Sequence, residues 1–347
     1  MKIKYLLILT INFYCAFMCQ SYAQKKEVKF GKLNREAIQQ TYPKDSLAEA
    51  FYILKKRETY FNHEHPKGWV LYTEVHQRIK ILTKEGLDYG TFKVALYRDG
   101  KDRETIQKLK GVTYNLEGKK VVTQKLSKKD YFENEVSEHW VEVSIPLPSV
   151  KVGSVVEVSY TIVSPYLKVD DVIGQEDIPI KEFYARVRMP KYFEYNRMVK
   201  GGFMPSVNDY TQRRMMSITY EGNQVNGALT QATKNTNIAI DEFVNEYRAT
   251  DIQALKEEPY VDNINNYRYA IVYEWATYRP ENGEVKHYSN TWEQVAAKIF
   301  ESNYFGKQIE RANFLDDQSE IIKSTTTNKL ERMQLAFDYV KNHMTWN

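Results

Sequence analysis

Between residues 69 and 82 the chain alternates strictly: Leu71, Thr73, Val75, Gln77, Ile79 and Ile81 fall on one face, and Tyr72, Glu74, His76, Arg78 and Lys80 on the other. A period of two predicts a strand with one buried and one polar face. Lys84, Glu85 and Gly86 mark a turn after it, and residues 91–97 and 106–114 read as further strands. Asn115 to Gly118 is a short turn ending on a glycine, where a positive φ costs little, and Val121 and Val122 begin the return strand. Residues 140–145 alternate through Val141, Val143 and Ile145 before two prolines, and residues 154–163 form a β-branched run after a turn at Gly153. Residues 183–189, 214–220 and 267–275 complete the array. Short strands with regular turn signals predict a mainly β fold, an antiparallel β-sandwich. Ahead of them, Asp45 as cap with Leu47, Ala50 and Phe51 on one side predicts a short helix.

The pattern changes after Pro280. Thr291 with Gln294 three residues later makes a capping box, and Val295, Ala296, Ile299 and Phe300 then form a helical apolar face. Leu330, Met333, Phe337, Val340 and Met344 recur at helical spacing in a second helix close to Trp346 and Asn347. That face calls for a cover, and the pattern reads as a domain that has only begun. The domain expectation is therefore a signal peptide at 1–23, a β-sandwich at 24–285, and a short helical segment at 286–347.

Composition narrows the function classes. Lys2 and Lys4 followed by a mostly apolar run and the small residues Ser21 and Ala23 form an export leader with cleavage before Gln24. The apolar run is shorter than the ~20 residues a span requires, so no transmembrane span is expected after cleavage. Neither Cys15 nor Cys19 follows a small residue as a lipid-acceptor cysteine would, and both leave with the leader. The expected mature chain thus carries no thiol and no disulfide. Loss of Lys2 and Lys4 lowers the +4 charge of the 347-residue chain to +2, too balanced for a nucleic-acid partner. The densest basic cluster, Lys119, Lys120, Lys125, Lys128 and Lys129, is followed by Asp130, Glu133 and Glu135 and reads as a solvated edge.

Several stretches carry a resemblance. They are Lys80 to Gly86 (KILTKEG), Gly111 to Asn115 (GVTYN) with Gly118 and Lys119, Leu147 to Glu157 (LPSVKVGSVVE), and Ile252 to Pro259 (IQALKEEP). In that order they resemble the β-rich domain of unknown function that precedes a transglutaminase-like domain in secreted bacterial proteins. Leu335 to Trp346 is similar to the opening helix of that second domain, an α+β fold. The resemblance implies a cysteine nucleophile on a later helix, with a histidine base and an orienting acid. No residue here inherits those roles, because His343 precedes the place of the nucleophile whereas the family's histidine follows it. Catalytic, cofactor and metal residues are accordingly expected to be none. The resemblance implies an exported module of the periplasm or cell surface whose partner is the transglutaminase-like domain, a cell-envelope protein or a glycan. The alternatives are a fragment of a cysteine transglutaminase-like or peptidase enzyme, and a glycan- or peptide-binding module.

The residue constellations are sparse. Alternation from Tyr267 places Tyr267, Tyr269, Ile271, Tyr273 and Trp275 on one face. Such a stripe can stack sugars, grip a peptide or pack against another sheet or domain, so Tyr267, Tyr269, Tyr273 and Trp275 are the candidate ligand or interdomain face. His63, Glu64 and His65 lie in a polar hairpin loop, where turn chemistry explains them without a metal. His76 and His139 read as surface or packing residues, and His287 sits in a loop. The acid pairs Asp170–Asp171, Glu257–Glu258 and Asp316–Asp317 read as turns or helix starts, because glycosidase chemistry needs carboxyls ~5–9.5 Å apart across a cleft.

Overall fold

The computed structural model describes residues 28–127, 129–220, 224–225, 228–229, 234–280, 283–288 and 291–345. The segment read as an export leader, with Cys15 and Cys19, and also Lys128 of the basic cluster, Trp346 and Asn347 lie outside the described residues. The chain forms two compact units, one through Glu284 and one from Val285 onward.

In chain order the first unit contains α1 (Arg35–Ile38), β1 (Ala50–Glu64), β2 (Gly68–Ile81), β3 (Thr91–Asp99), β4 (Asp102–Arg103), β5 (Thr105–Glu117), β6 (Lys120–Lys125), β7 (Phe132–Glu135) and β8 (Trp140–Pro146). It continues with β9 (Val155–Ser164), β10 (Val172–Ile173), β11 (Ile180–Pro190), β12 (Phe193–Lys200), β13 (Ser206–Tyr220), β14 (Gln224–Val225), β15 (Ala228–Leu229), β16 (Lys234–Ile252) and β17 (Ala270–Tyr278). One large sheet runs β13-β16-β11-β1-β2-β9-β5-β6. Two small sheets, β4-β3-β8-β7 and β10-β17-β12, pack on it.

The face carrying Leu71, Val75, Ile79 and Ile81 of β2 is buried, as its alternation predicts. Leu71 joins a core with Phe61 of β1, Val187 of β11, Phe193 of β12 and Tyr273 of β17. Val75, Ile79 and Ile81 join another with Phe92 and Val94 of β3, Val143 of β8 and Val158 of β9. Because these residues share one face of β2, both small sheets lie on the same side of the large one. The result is two β-sandwiches side by side on a common sheet. On the opposite face, Ile38 of α1 and Tyr42 cover Phe51, Ile53, Val112, Tyr114 and Val155.

Three local expectations are corrected. No helix starts at Asp45: its carboxylate accepts from the amide of Leu47 at 3.0 Å in a turn, and Ala50 and Phe51 already belong to β1. The sheet is mixed, because β1 runs parallel to β11 while every other pair in it is antiparallel. The strand predicted from Tyr267 begins only at Ala270, since Ile264–Asn266 forms a 3-10 turn that Tyr267 closes.

The second unit contains α2 (Trp292–Glu301), α3 (Gly306–Ile309), α4 (Asp316–Thr325) and α5 (Lys329–His343). The predicted capping box is formed, Thr291 accepting from the Gln294 amide and Gln294 accepting from the Thr291 amide. Among the described residues no helix is long and apolar enough to cross a membrane.

Candidate functional site

Of the candidate aromatic face, Tyr269 and Tyr273 are 1% and 4% exposed and belong to the core beneath the β12–β17 sheet. Tyr269 meets Phe203 edge-on at 5.7 Å, and a Cβ on Gly174 would collide with its ring. The Tyr273 hydroxyl lies 2.7 Å from that of Tyr247 and 3.1 Å from Asn245 Oδ1. Trp275 stacks on Tyr195 at 6.4 Å and donates to the Thr277 carbonyl at 3.3 Å. Tyr267 alone of the four is exposed. Burial of three rings against a facing sheet brings large apolar area out of water and uses their polar tips internally.

The polar face of β2 is covered rather than solvated. The N-terminal strap that carries α1 crosses it, so Arg78, Lys80 and their neighbours on β9 and β5 are buried. Glu157 is 0% exposed and accepts from Arg78 Nη2 at 2.6 Å, from the Tyr114 hydroxyl, and from the amide of Gly31 at 3.1 Å; His76 Nε2 lies 2.7 Å from it. Burial would raise this carboxyl, but the bond with His76, the charge of Arg78 and the Tyr114 hydroxyl hold it below the usual value. Arg78 also donates to the Lys32 carbonyl at 3.2 Å, and Lys80 Nζ donates to the carbonyls of Ile38 at 2.5 Å and Gly153 at 2.6 Å. Burial pulls the Lys80 ammonium down to about 8. The bonds to Gly31, Lys32 and Ile38 tie strap to sheet, and the others hold Glu157, Arg78 and Lys80 in place beneath it, which makes a structural clamp. A second buried acid, Glu242, accepts from Arg214 at 2.7 Å and Gln212 at 2.9 Å.

Sequence patterning did not reveal a cleft of about 510 Å³ on the sheet's inner face. It adjoins a hollow of about 200 Å³, sharing Gln77, Tyr160 and Glu176 with it. A bulge in β1 between Tyr52 and Leu54 shifts side-chain parity, bringing Tyr52 and Lys55 together with the Lys55 ammonium 5.6 Å from the Tyr52 ring. Lys55 is ion-paired with Glu176, and Arg57 donates to the carbonyls of Asp171 at 2.7 Å and Asp170 at 3.1 Å. Burial lowers both cations, Lys55 against the opposing pull of Glu176 and Arg57 against that of Asp170. The signal that could have found this region is the pair Lys55 and Arg57, two cations on the inward face of a strand whose other inward residues include Phe61.

The remaining histidines stand apart from one another in function. The ring of His63 meets Trp69 edge-on at 5.5 Å, His65 lies in the β1–β2 turn, His139 Nδ1 is 3.2 Å from the Arg98 carbonyl, and His343 stacks on Tyr339 at 4.1 Å. His287 is exposed in the second unit. Asp316 and Asp317 occupy the first turn of α4, favourable against the helix dipole. Among the described residues no three His, Cys, Asp or Glu side chains are placed to hold a metal ion.

In the second unit the helices bury none of their large apolar side chains. Trp292, Phe300, Phe314, Leu330, Met333, Phe337, Val340 and Met344 are all exposed, Leu330 at 75% and Phe337 at 62%.

Residues 71–225 match a family described as a domain of unknown function with solved structure, DUF3857. The fold is similar to a crystal structure described as that of a "putative protease" from Parabacteroides distasonis, with a TM-score of 0.54 and 12% sequence identity. The likeness covers 86% of this chain and 51% of that one, so the chain spans about half the length of that protein. A search of the curated proteins found no match.

Proposed function

We propose that this chain is an exported, non-catalytic double-sandwich module that positions a transglutaminase-like domain, of which the helices after Val285 are the opening part. The observation that carries the reading is the second unit's combination of formed caps and uncovered apolar faces: the helices are locally specified but have no core of their own. The resemblance at Leu335 to Trp346 names what would cover them, the helices and strands of the rest of such a domain. The solved structure similar in fold supports it, since nearly half of that chain lies outside the matched part and its description is "putative protease". The clamp and the aromatic core make the first unit a rigid support, and the buried hydroxyls of Tyr114, Tyr247 and Tyr273 already have partners within the protein.

Reading the gene beyond Asn347 tests this directly. An open frame supplying a cysteine, then a histidine and an acid, is expected; an immediate stop codon overturns it. Purified residues 24–347 should neither hydrolyse amides nor incorporate amines into a protein acceptor, and turnover that survives repurification would overturn the non-catalytic part. Mass spectrometry of the native protein should find Gln24 as its first residue if the chain is exported.

A further inference from the structure

The cations on or beside the inner-face cleft and its adjoining hollow each lie against an acid: Lys55 pairs with Glu176, Lys56 with Glu58 at 3.0 Å, Lys93 with Glu142 at 3.2 Å and Lys256 with Glu49 at 3.0 Å, while Arg57 donates to the Asp170 and Asp171 carbonyls with the Asp170 charge beside it. The cleft's other carboxylates, Glu85, Asp88 and Asp177, have no cationic partner among the described residues. Asp177 accepts from the Tyr89 hydroxyl at 2.8 Å, a bond that leaves its charge intact. The field inside the cleft is therefore negative after the internal pairs are counted.

An independent observation concerns Tyr160 on β9. It is only 8% exposed, lines both the cleft and the adjoining hollow, and its hydroxyl makes no hydrogen bond among the described residues. Burial raises it to about 12 against the opposing charge of Arg57, so it stays protonated at neutral pH and offers an oxygen lone pair. Ile79 and Phe92, both buried residues of the core, supply apolar lining to the cleft. Apolar lining, tyrosine rings and surplus carboxylates match an alkyl stem ending in a cation.

We infer that this cleft binds an alkyl ammonium or guanidinium group, its stem on Ile79 and Phe92, its charge facing Asp88 and Asp177, and a donor N–H directed at the Tyr160 oxygen. Such a group has two sources, a lysine or arginine side chain of a peptide and a free polyamine. The volume, within the range of small-ligand pockets, admits either. The inference is independent of any transglutaminase-like partner, because every residue in it belongs to the first unit.

Isothermal titration of the purified protein with acetyl-Ala-Lys-Ala-amide, with the same peptide carrying norleucine for lysine, and with spermidine tests it. Saturable binding of the lysyl peptide or of spermidine is expected, with the norleucine peptide weaker by about tenfold or more, as loss of a charge-assisted bond implies. Lysyl-peptide binding identifies the peptide source and spermidine binding alone the polyamine. Tyr160→Phe removes only the unpartnered oxygen, and Asp88→Asn alters an exposed side chain, so both variants should keep the parent melting temperature and bind about fivefold or more weakly. No saturable binding of either cationic probe, equal binding of the norleucine peptide, or binding that Asp88→Asn leaves unchanged overturns the assignment.

Discussion

The two units of this chain use opposite means of specifying structure. In the sandwich unit, long-range pairing decides everything: β1 pairs with β2 next to it and with β11 more than a hundred residues away, and polar groups as costly as Glu157 and Glu242 are buried at 0% exposure because partners arrive from distant strands. In the helical unit the specification is local. The side chains of Thr291 and Asn328 cap their helices by accepting from backbone amides three and two residues on, while the apolar faces meet no core. Caps fix where a helix starts but contribute only ~1 kcal/mol, far less than burial of one aromatic side chain. A segment can thus be correctly written at the level of secondary structure and still depend on another surface for its stability.

The largest expected effects fall on the sandwich unit. Phe61→Ala empties a site packed against Phe193 at 4.9 Å and should cost about 3–5 kcal/mol in urea unfolding. Glu157→Gln should cost a similar amount, about 3–5 kcal/mol, by leaving Arg78 buried without its counter-charge. If either change left stability within ~0.5 kcal/mol, the typical reach of a surface substitution, the contrast between the units would collapse.

A smaller effect separates burial from pairing. Lys80 is held by carbonyls alone, and its folded value of about 8 lies below the ordinary 10.5. Below pH 8 both folded and unfolded chains carry the proton, and the cost of burying the charge is felt in full. Between about 8 and 10.5 the folded chain releases it first, so the unfolded chain binds more protons and stability rises with pH. Urea midpoints at pH 7 and 9.5 should therefore diverge between the parent and Lys80→Met, with the parent gaining relative to the variant. A constant gap would mean that the ammonium is solvated.

How much of this was legible in sequence follows the same division. The capping box at Thr291, the inward set of β2 and the helical recurrence from Leu330 were readable because each signal lies within a few residues of its effect. The 19-residue β16 was not assigned, because Asn, Asp and Glu interrupt its alternation and its partners β13 and β11 supply the order. His76, Arg78 and Lys80 looked solvated for a related reason: the strap that buries them comes from residues about forty earlier. The cleft was hidden behind a one-residue bulge, which no alternation rule anticipates. The candidate tyrosines were found as a stripe, yet their partners Tyr247, Asn245 and Phe203 lie on other strands and loops.

Thr291→Ala should remove one side-chain cap and fray α2, with a loss of about 1 kcal/mol confined to that helix. Hydrogen exchange should accelerate at the amides of α2 while those of β1, β2 and β9 stay protected. Spread of the effect into the sandwich strands would show that the helical unit is energetically part of the first core.

The smallest expected effect carries the most information about the helical unit. Phe337→Ala deletes an aromatic ring that is 62% exposed and packs into no buried cluster, so it should change the unfolding free energy by less than ~0.5 kcal/mol. The same deletion in a sandwich core costs several times more, so the pair Phe61→Ala and Phe337→Ala measures the difference between the units in one currency. The ring's absence should nevertheless reduce binding of a hydrophobic dye such as ANS, because Phe337 shares the surface of α5 with Leu330, Met333 and Val340. Near-neutral stability with weaker dye binding is what an uncovered docking face produces; a loss of several kcal/mol would require these side chains to be buried in the isolated chain and would remove the observation on which the positioning role rests.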